Sequence, residues 1–303
     1  MRARALLFAV FIVSICFADS IDVRLVTDEA DAVLRILSTK QPTEKDWQRL
    51  FSSEGYVRLK KREESMKRSF TDDEFKQFVL SQDLSQHAAD LAKTLEGWKQ
   101  ADMQHVGAAA LAYLPAGAKI HAKIYPVIKP KTNSFVFEAD TDPAIFLYLD
   151  PAESKEKFEN TLTHELHHIG YSNVCTRDDT DRPKEVQAAR QWMSGFGEGL
   201  AMLAAAGGPD IHPHATSGAE DRARWDHDVA NFNSDLKTLE KFFLDILNHK
   251  ISDQEIQGKG FSFFGIQGPW YTVGWKMAVT IEKTFGREKL LNSICDPAKF
   301  LAT

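Results

Sequence analysis

The sequence predicts an α+β fold dominated by helices, with a small antiparallel or mixed sheet ahead of one distinctive helix. Three observations carry that expectation. Apolar residues recur at helical spacing from Thr27 to about Leu114 and again beyond Asp150. Between Pro115 and Leu149, three short alternating or wholly apolar runs are divided by turn residues. The 303 residues, 43% hydrophobic and 26% charged, have the composition of an ordinary globular chain able to bury a sizeable core.

The N-terminus is set aside first. Arg2 and Arg4 precede an apolar run from Ala5 to Phe17 that ends on a small-residue cleavage pattern, so residues 1–18 read as a secretory signal peptide cut after Ala18. The run is shorter than the ~20 residues a bilayer requires, and no later stretch is long enough to span, so no stable membrane span is expected after cleavage. The expected location is secreted or periplasmic. Net charge is −6, becoming −8 with the loss of two arginines and no acid, which gives no reason to expect nucleic acid as a partner. Cys175 and Cys295 then remain, and in an exported chain they either pair across about 120 residues or stay as two buried thiols.

Residues 19–114 are expected as a helical N-terminal region. Ala30, Val33, Leu34 and Leu37 mark one helix, and Leu84 to Tyr113 reads as a longer periodic segment. Mixed-sign clusters such as Lys60 to Glu64 are solvated helix faces. Residues 115–303 form the second expected unit. Ile120, Ala122 and Ile124 alternate with Lys119, His121 and Lys123, the period of a strand with one wet face; Ser134 to Glu138 and Ala144 to Leu149 supply two more, together suggesting a largely antiparallel sheet. Pro126 and Pro130 suit an edge strand. Helical sequence follows, interrupted near Asp178 to Pro183, Asp210 to Gly218 and the glycine-rich Gly258 to Gly268.

A helix expected over Ala152 to Gly170 contains His164-Glu165-Leu166-His167-His168. A chance HExxH in a chain of this composition has a probability of roughly 0.02. Helix geometry makes an independent test. Phe158, Leu162, Leu166 and Ile169 form one apolar stripe, while His164 and His168 lie one turn apart on another face, able to converge on one ion. Glu165 falls between stripe and ligand face, where it flanks a metal without binding it. His167 points elsewhere and reads as a surface or supporting histidine.

Two histidines leave a zinc site incomplete. Downstream, Gly195-Phe196-Gly197-Glu198-Gly199-Leu200-Ala201 lies in a second expected helix, Lys184 to Ala206, with Glu198 opposite the broad apolar face. Each helical glycine costs roughly 0.8–1 kcal/mol. Close packing of this helix on the HExxH helix, with Glu198 as third metal ligand, accounts for that cost; a solvated charge at a helix start is the plainer alternative.

At this point the chain resembles the gluzincin zinc metallopeptidases, which carry HExxH on one helix and a glutamate ligand on the next, and more closely a family of zinc-dependent peptidases bearing HExxH and a later GEG element. Gly197-Glu198-Gly199-Leu200-Ala201 is similar, more distantly, to the third-ligand segment of M1-type aminopeptidases. Tyr271-Thr272-Val273-Gly274 is similar to the helix in which those enzymes place a transition-state-binding tyrosine. The resemblance implies a zincin-like core over residues 115–303, one Zn²⁺ held by His164, His168 and Glu198, Glu165 as general base, Tyr271 as an oxyanion donor, and a peptide or protein substrate. His212 and His214 are alternative oxyanion partners or plain exposed loop histidines, Asp210, Asp226 and Asp228 candidates to orient a zinc histidine, and the phenylalanines at 261, 263 and 264 either an apolar wall or part of an ordinary packed loop. The chain departs from M1 enzymes in its longer gap between His168 and Glu198 and in lacking a GxMEN segment. The competing readings are a non-catalytic zinc-binding or interaction protein, and a zinc hydrolase of a non-peptide amide or ester.

Overall fold

The computed structural model describes residues 20–176 and 178–303; the expected signal peptide lies outside the described residues. The described residues open with a strand not expected from the sequence, β1 (Ile21–Leu25), although Ile21 and Val23 alternate with Asp22 and Arg24 and are buried. Seven helices follow: α1 (Asp28–Ser38), α2 (Glu44–Phe51), α3 (Glu54–Ser65), α4 (Asp72–Val79), α5 (Gln82–Gln86), α6 (Ala88–Trp98) and α7 (Met103–Leu111). Thr43 with Asp46 and Thr71 with Glu74 close reciprocal capping boxes on α2 and α4, so these short helices begin where their sequences supply a hydroxyl three residues ahead of an acid. The long segment expected over Leu84 to Tyr113 is divided, because Asp102 accepts from the backbone N–H groups of Gln104 and His105 and starts α7 afresh.

The sheet is completed by β2 (Ile120–Val127), β3 (Phe135–Phe137) and β4 (Ala144–Tyr148), in the order β1-β2-β4-β3. It is mixed, and the expectation of largely antiparallel pairing does not hold: β1–β2 and β2–β4 are parallel, and only β3–β4 is antiparallel. The seven helices make the long connection that β1 and β2 need to run parallel. β3 lies outside β4 and takes the reversal of direction, leaving β4 beside β2. Pro126 accordingly sits in a central strand. Its register partner on β4 is Leu147, while β1 pairs with β2 only as far as Ile124, so the missing N–H falls beyond the end of β1.

One hydrophobic cluster joins the N-terminal helices, the sheet and one face of α8 (Lys155–Val174), bringing together Val33, Leu59, Leu95, Ile124, Phe146 and Leu162. Beyond α8 come α9 (Lys184–Met193), a 3-10 turn (Ser194–Phe196), α10 (Gly197–Ala206), α11 (Ala219–Ala230), α12 (Phe232–Leu247), α13 (Asp253–Ser262), α14 (Pro269–Phe285), α15 (Arg287–Leu291) and α16 (Pro297–Ala302). The single helix expected over Lys184 to Ala206 is thus broken by the 3-10 turn. The expected glycine-rich interruption begins later than Gly258, because Gly260 is helical and lies flush against the Trp192 ring. A second cluster, including Trp192, Leu203, Phe242, Trp270 and Val273, holds these helices together. Among the described residues no helix is long and apolar enough to cross a membrane.

Candidate metal centre

α8 lies between the two clusters and presents a different face to each. Ser154 caps its start by accepting from Lys157 N. Phe158, Leu162, Leu166 and Ile169 are buried in the first cluster, with Phe158 stacked on Trp98 at 4.3 Å, as the apolar stripe predicts. The opposite stripe, Asn160, His164 and His168, faces α10. The Asn160 amide donates to Ala205 O at 2.8 Å, fixing the two helices where α8 begins and α10 ends.

One turn further along, three donor atoms converge. Glu198 Oε2 lies 3.2 Å from His164 Nε2 and 3.2 Å from His168 Nε2, and the two imidazole nitrogens are 3.1 Å apart. A tetrahedron with metal–ligand bonds of about 2.0 Å has edges of about 3.3 Å, so the triangle matches one face of a tetrahedral zinc site. Hydrogen bonds alone serve this arrangement poorly, since one proton bridges only one of the three edges at a time. A divalent cation satisfies all three atoms, and the donor set of two imidazoles and a carboxylate suits zinc.

The local field agrees. Burial works to raise the Glu198 carboxyl, but the His168 and His164 imidazoles outweigh it and hold Glu198 well below the usual carboxylate range. His168 is raised: burial opposes this, and the charge and hydrogen bond of Glu198, joined by the charge of Glu165, prevail.

The glycines around Glu198 answer to a different neighbour from the one expected. A Cβ on Gly199 would overlap the backbone of Trp275, and one on Gly274 would lie 2.5 Å from Phe196 O, so the close approach is between α10 and α14. Gly195 likewise makes room for the Trp270 ring. Gly197 meets nothing within 4 Å. The glycines therefore bring Tyr271, in the first turn of α14, to the same place as Glu198. The Tyr271 ring lies 6.2 Å from that of His164 and 13° from parallel. Burial, then the charge and hydrogen bond of Glu198, hold its phenol protonated far above the ordinary range. Glu165 makes no side-chain hydrogen bond among the described residues, and its charge acts on both His168 and Tyr271.

Of the two positions expected for His167, surface or supporting, the structure excludes the surface one. His167 is fully buried, donates from Nε2 to Tyr113 O at 3.2 Å, and is pushed down to about 3 by burial and the neighbouring His168. α8 is covered on nearly every side, so the face opposite the stripe is no surface. His212 pairs with Asp226 at 3.2 Å and His214 with Ser217 at 3.1 Å; neither contacts the three converging side chains among the described residues. Asp210 pairs with Lys283, and Asp228 acts on Asp235; among the described residues none of the three candidate aspartates reaches a converging histidine, and His164 Nδ1 is buried with no partner.

Cys175, the C-cap of α8, is disulfide-bonded to Cys295 with Cα atoms 4.8 Å apart, and Tyr171 Oη donates to Ile294 O at 3.0 Å. The last turn of the histidine helix is thus tied to the chain's C-terminal segment. A recess of about 540 Å³ opens beside His168 and Glu198, bordered by α8, α9, α10 and α13 and containing Phe261 and Phe264. Of its wall, the sequence reading anticipated those two phenylalanines and missed Gln191, Trp192 and Gln257, which carry no motif. No strand contributes to its lining.

Residues 45–303 match the family model described as "Putative zinc dependent peptidase (DUF5700)". No curated protein and no solved structure matches the chain.

Proposed function

The chain belongs to that family of zinc-dependent peptidases, DUF5700, and from this premise we propose that it is an exported peptidase whose single zinc is held by His164, His168 and Glu198. The observation that carries the reading is the triangle of donor atoms with edges of 3.1 and 3.2 Å, one face of a tetrahedral site, with the recess alongside. Zinc bound there supplies Lewis acidity toward a peptide carbonyl and toward water.

The chain's own groups supply the rest. Glu165, next to a histidine ligand and with no side-chain hydrogen bond among the described residues, takes the proton of the attacking water and delivers it to the departing amine. The Tyr271 phenol, kept protonated by burial and by Glu198, donates to the oxyanion of the tetrahedral state. Export is supported by the signal-like first eighteen residues and by the disulfide, which belongs to an oxidising compartment.

The test is metal content followed by turnover. His164→Ala and Glu198→Ala are expected to lose zinc, whereas Glu165→Gln keeps it and loses turnover on a mixed peptide library by a factor of about 10² or more. Equal zinc in the parent and both ligand variants removes the ligand assignment; undiminished turnover in Glu165→Gln removes the base.

A further inference from the structure

The recess beside the zinc ligands is lined by aromatic rings and by neutral polar side chains, with Glu198 at its edge. We propose that it selects the substrate residue next to the cut bond, and that it takes a large uncharged side chain, aromatic in preference to aliphatic. The proposal rests on the peptidase reading above and adds the side chain that is recognised.

An unbroken series of aromatic rings runs from the recess to the metal ligands. Trp192 meets Phe261 edge to face at 5.2 Å and 89°. Phe261 lies 6.4 Å from Phe264, Phe264 lies 6.5 Å from Tyr271, and Tyr271 faces His164 at 6.2 Å. Trp192 is held from behind by α13, where a Cβ on Gly260 would lie 2.5 Å from the indole ring. Phe261 is nevertheless 64% exposed. A phenylalanine fixed against a tryptophan at the edge of a recess, and left mostly in water, offers apolar surface that an incoming side chain covers with a gain in stability.

Charge within the recess points the same way. Among the described residues Glu198 is the only acid lining it, and no lysine or arginine does so. A charged substrate side chain would lose its hydration there, and the one acid, Glu198, is in this reading already engaged by the zinc, so neither sign of charge finds a free partner among the described residues. The polar lining, Ser172, Gln191, Ser194 and Gln257, consists of neutral hydroxyls and amides, suited to the hydroxyl of a tyrosine or the N–H of a tryptophan.

The test is digestion of a randomised peptide library by the zinc-loaded full chain, with cleavage sites read by mass spectrometry. One side of the cut bonds is expected to favour Phe, Tyr and Trp over Asp and Glu by tenfold or more. Gln257 is exposed, so Gln257→Lys leaves the fold intact and is expected to raise kcat/KM for Asp and Glu relative to Phe by at least tenfold. Phe261→Ala is expected to weaken the aromatic preference about fivefold, mainly through KM. Binding is measured separately by calorimetry on Glu165→Gln, where Phe-bearing peptides are expected to bind at least fivefold more tightly than Asp-bearing ones. Cleavage with a flat profile, or an unchanged profile in Gln257→Lys, overturns the pocket assignment alone. A parent that neither cuts nor binds any peptide overturns the peptidase reading, and the pocket with it.

Discussion

Gly199 and Trp275 meet backbone to backbone: the place where a Cβ on Gly199 would stand is occupied by the main chain of α14 at Trp275. Glu198 and Tyr271 flank this contact, each one step or one turn away on its own helix, so their separation depends on a glycine that contributes no side chain.

Gly199→Ala is therefore expected to force α10 and α14 apart, destabilising the protein by about 1–3 kcal/mol and reducing zinc occupancy and turnover together. Gly197→Ala is the matched control. It is helical, its Cβ would meet nothing within 4 Å, and alanine there is expected to stabilise by about 0.5–1 kcal/mol. Chemical denaturation of the two variants, two residues apart, checks the opposite signs.

The middle histidine of the HExxH segment is expected to behave unlike its neighbours. His167 is buried and donates to Tyr113 O, whose carbonyl belongs to the end of α7's turn. His167→Ala removes volume and orphans that carbonyl, for an expected loss of about 2–4 kcal/mol. Zinc stoichiometry should remain one per chain. Metal analysis beside a urea titration separates this from His164→Ala, in which zinc is lost.

What could be read from the sequence was whatever one helix or strand decides by itself. The stripe from Phe158 to Ile169 and the one-turn spacing of His164 and His168 follow from a period of 3.6 residues, and both stand in the structure. Relations between elements were less accessible. The glycines near Glu198 were visible as a cost but not as a contact with α14, because nothing local names the partner of a close approach. The choice between a surface and a supporting place for His167 stays open in the sequence because an apolar stripe identifies one buried face and is silent about a second. β1 carries a period-two signal over only five residues, and its pairing with β2 spans nearly a hundred residues of helix.

Glu29 is expected to make a contribution to stability that falls as pH rises from about 4.5 to 8, while buried His167, pushed down to about 3, and His214, pushed down to about 4 by burial, work in the opposite sense up to about pH 6.5. Glu29 is buried in α1; its Oε2 accepts from Ile128 N at 3.1 Å, and its Oε1 has no partner. Burial first, then the charge of Asp28, push its carboxyl up to about 8, against the Ile128 hydrogen bond. With the folded pKa above the unfolded one, the native state binds the extra proton between those values. Its contribution is complete below about pH 4.5 and is lost as pH rises through 8, at up to about 1.4 kcal/mol per pH unit. Lys129, pushed down to about 8 by burial, acts only above that range. Urea midpoints for the parent and Glu29→Gln, compared from pH 5 to 8, should lie close together at pH 5 and separate with rising pH, the parent falling below the variant, because the amide mimics the protonated carboxyl and does not titrate; parallel curves would show that Glu29 does not titrate in this window.

Reduction of the disulfide tests how far the metal centre depends on the C-terminal segment. Cys175 ends the helix that carries both histidines, and its bond to Cys295 closes a loop of 120 residues. A loop of that length corresponds to about 4–5 kcal/mol of stabilisation in the chain-entropy description. Cys175→Ser with Cys295→Ser, or treatment with a reductant, is expected to lower the unfolding free energy by that order and the denaturation midpoint with it. His164 and His168 are also held by the buried stripe of α8 and by the Asn160–Ala205 contact, which the disulfide does not touch. Zinc should therefore stay bound below the new midpoint. The recess borders Cys175 directly, so substrate affinity should weaken before metal is lost. Parallel titrations of zinc release and peptide binding against denaturant, with and without reductant, distinguish that order from simultaneous loss, the outcome expected if the disulfide itself held the ligand helix in place.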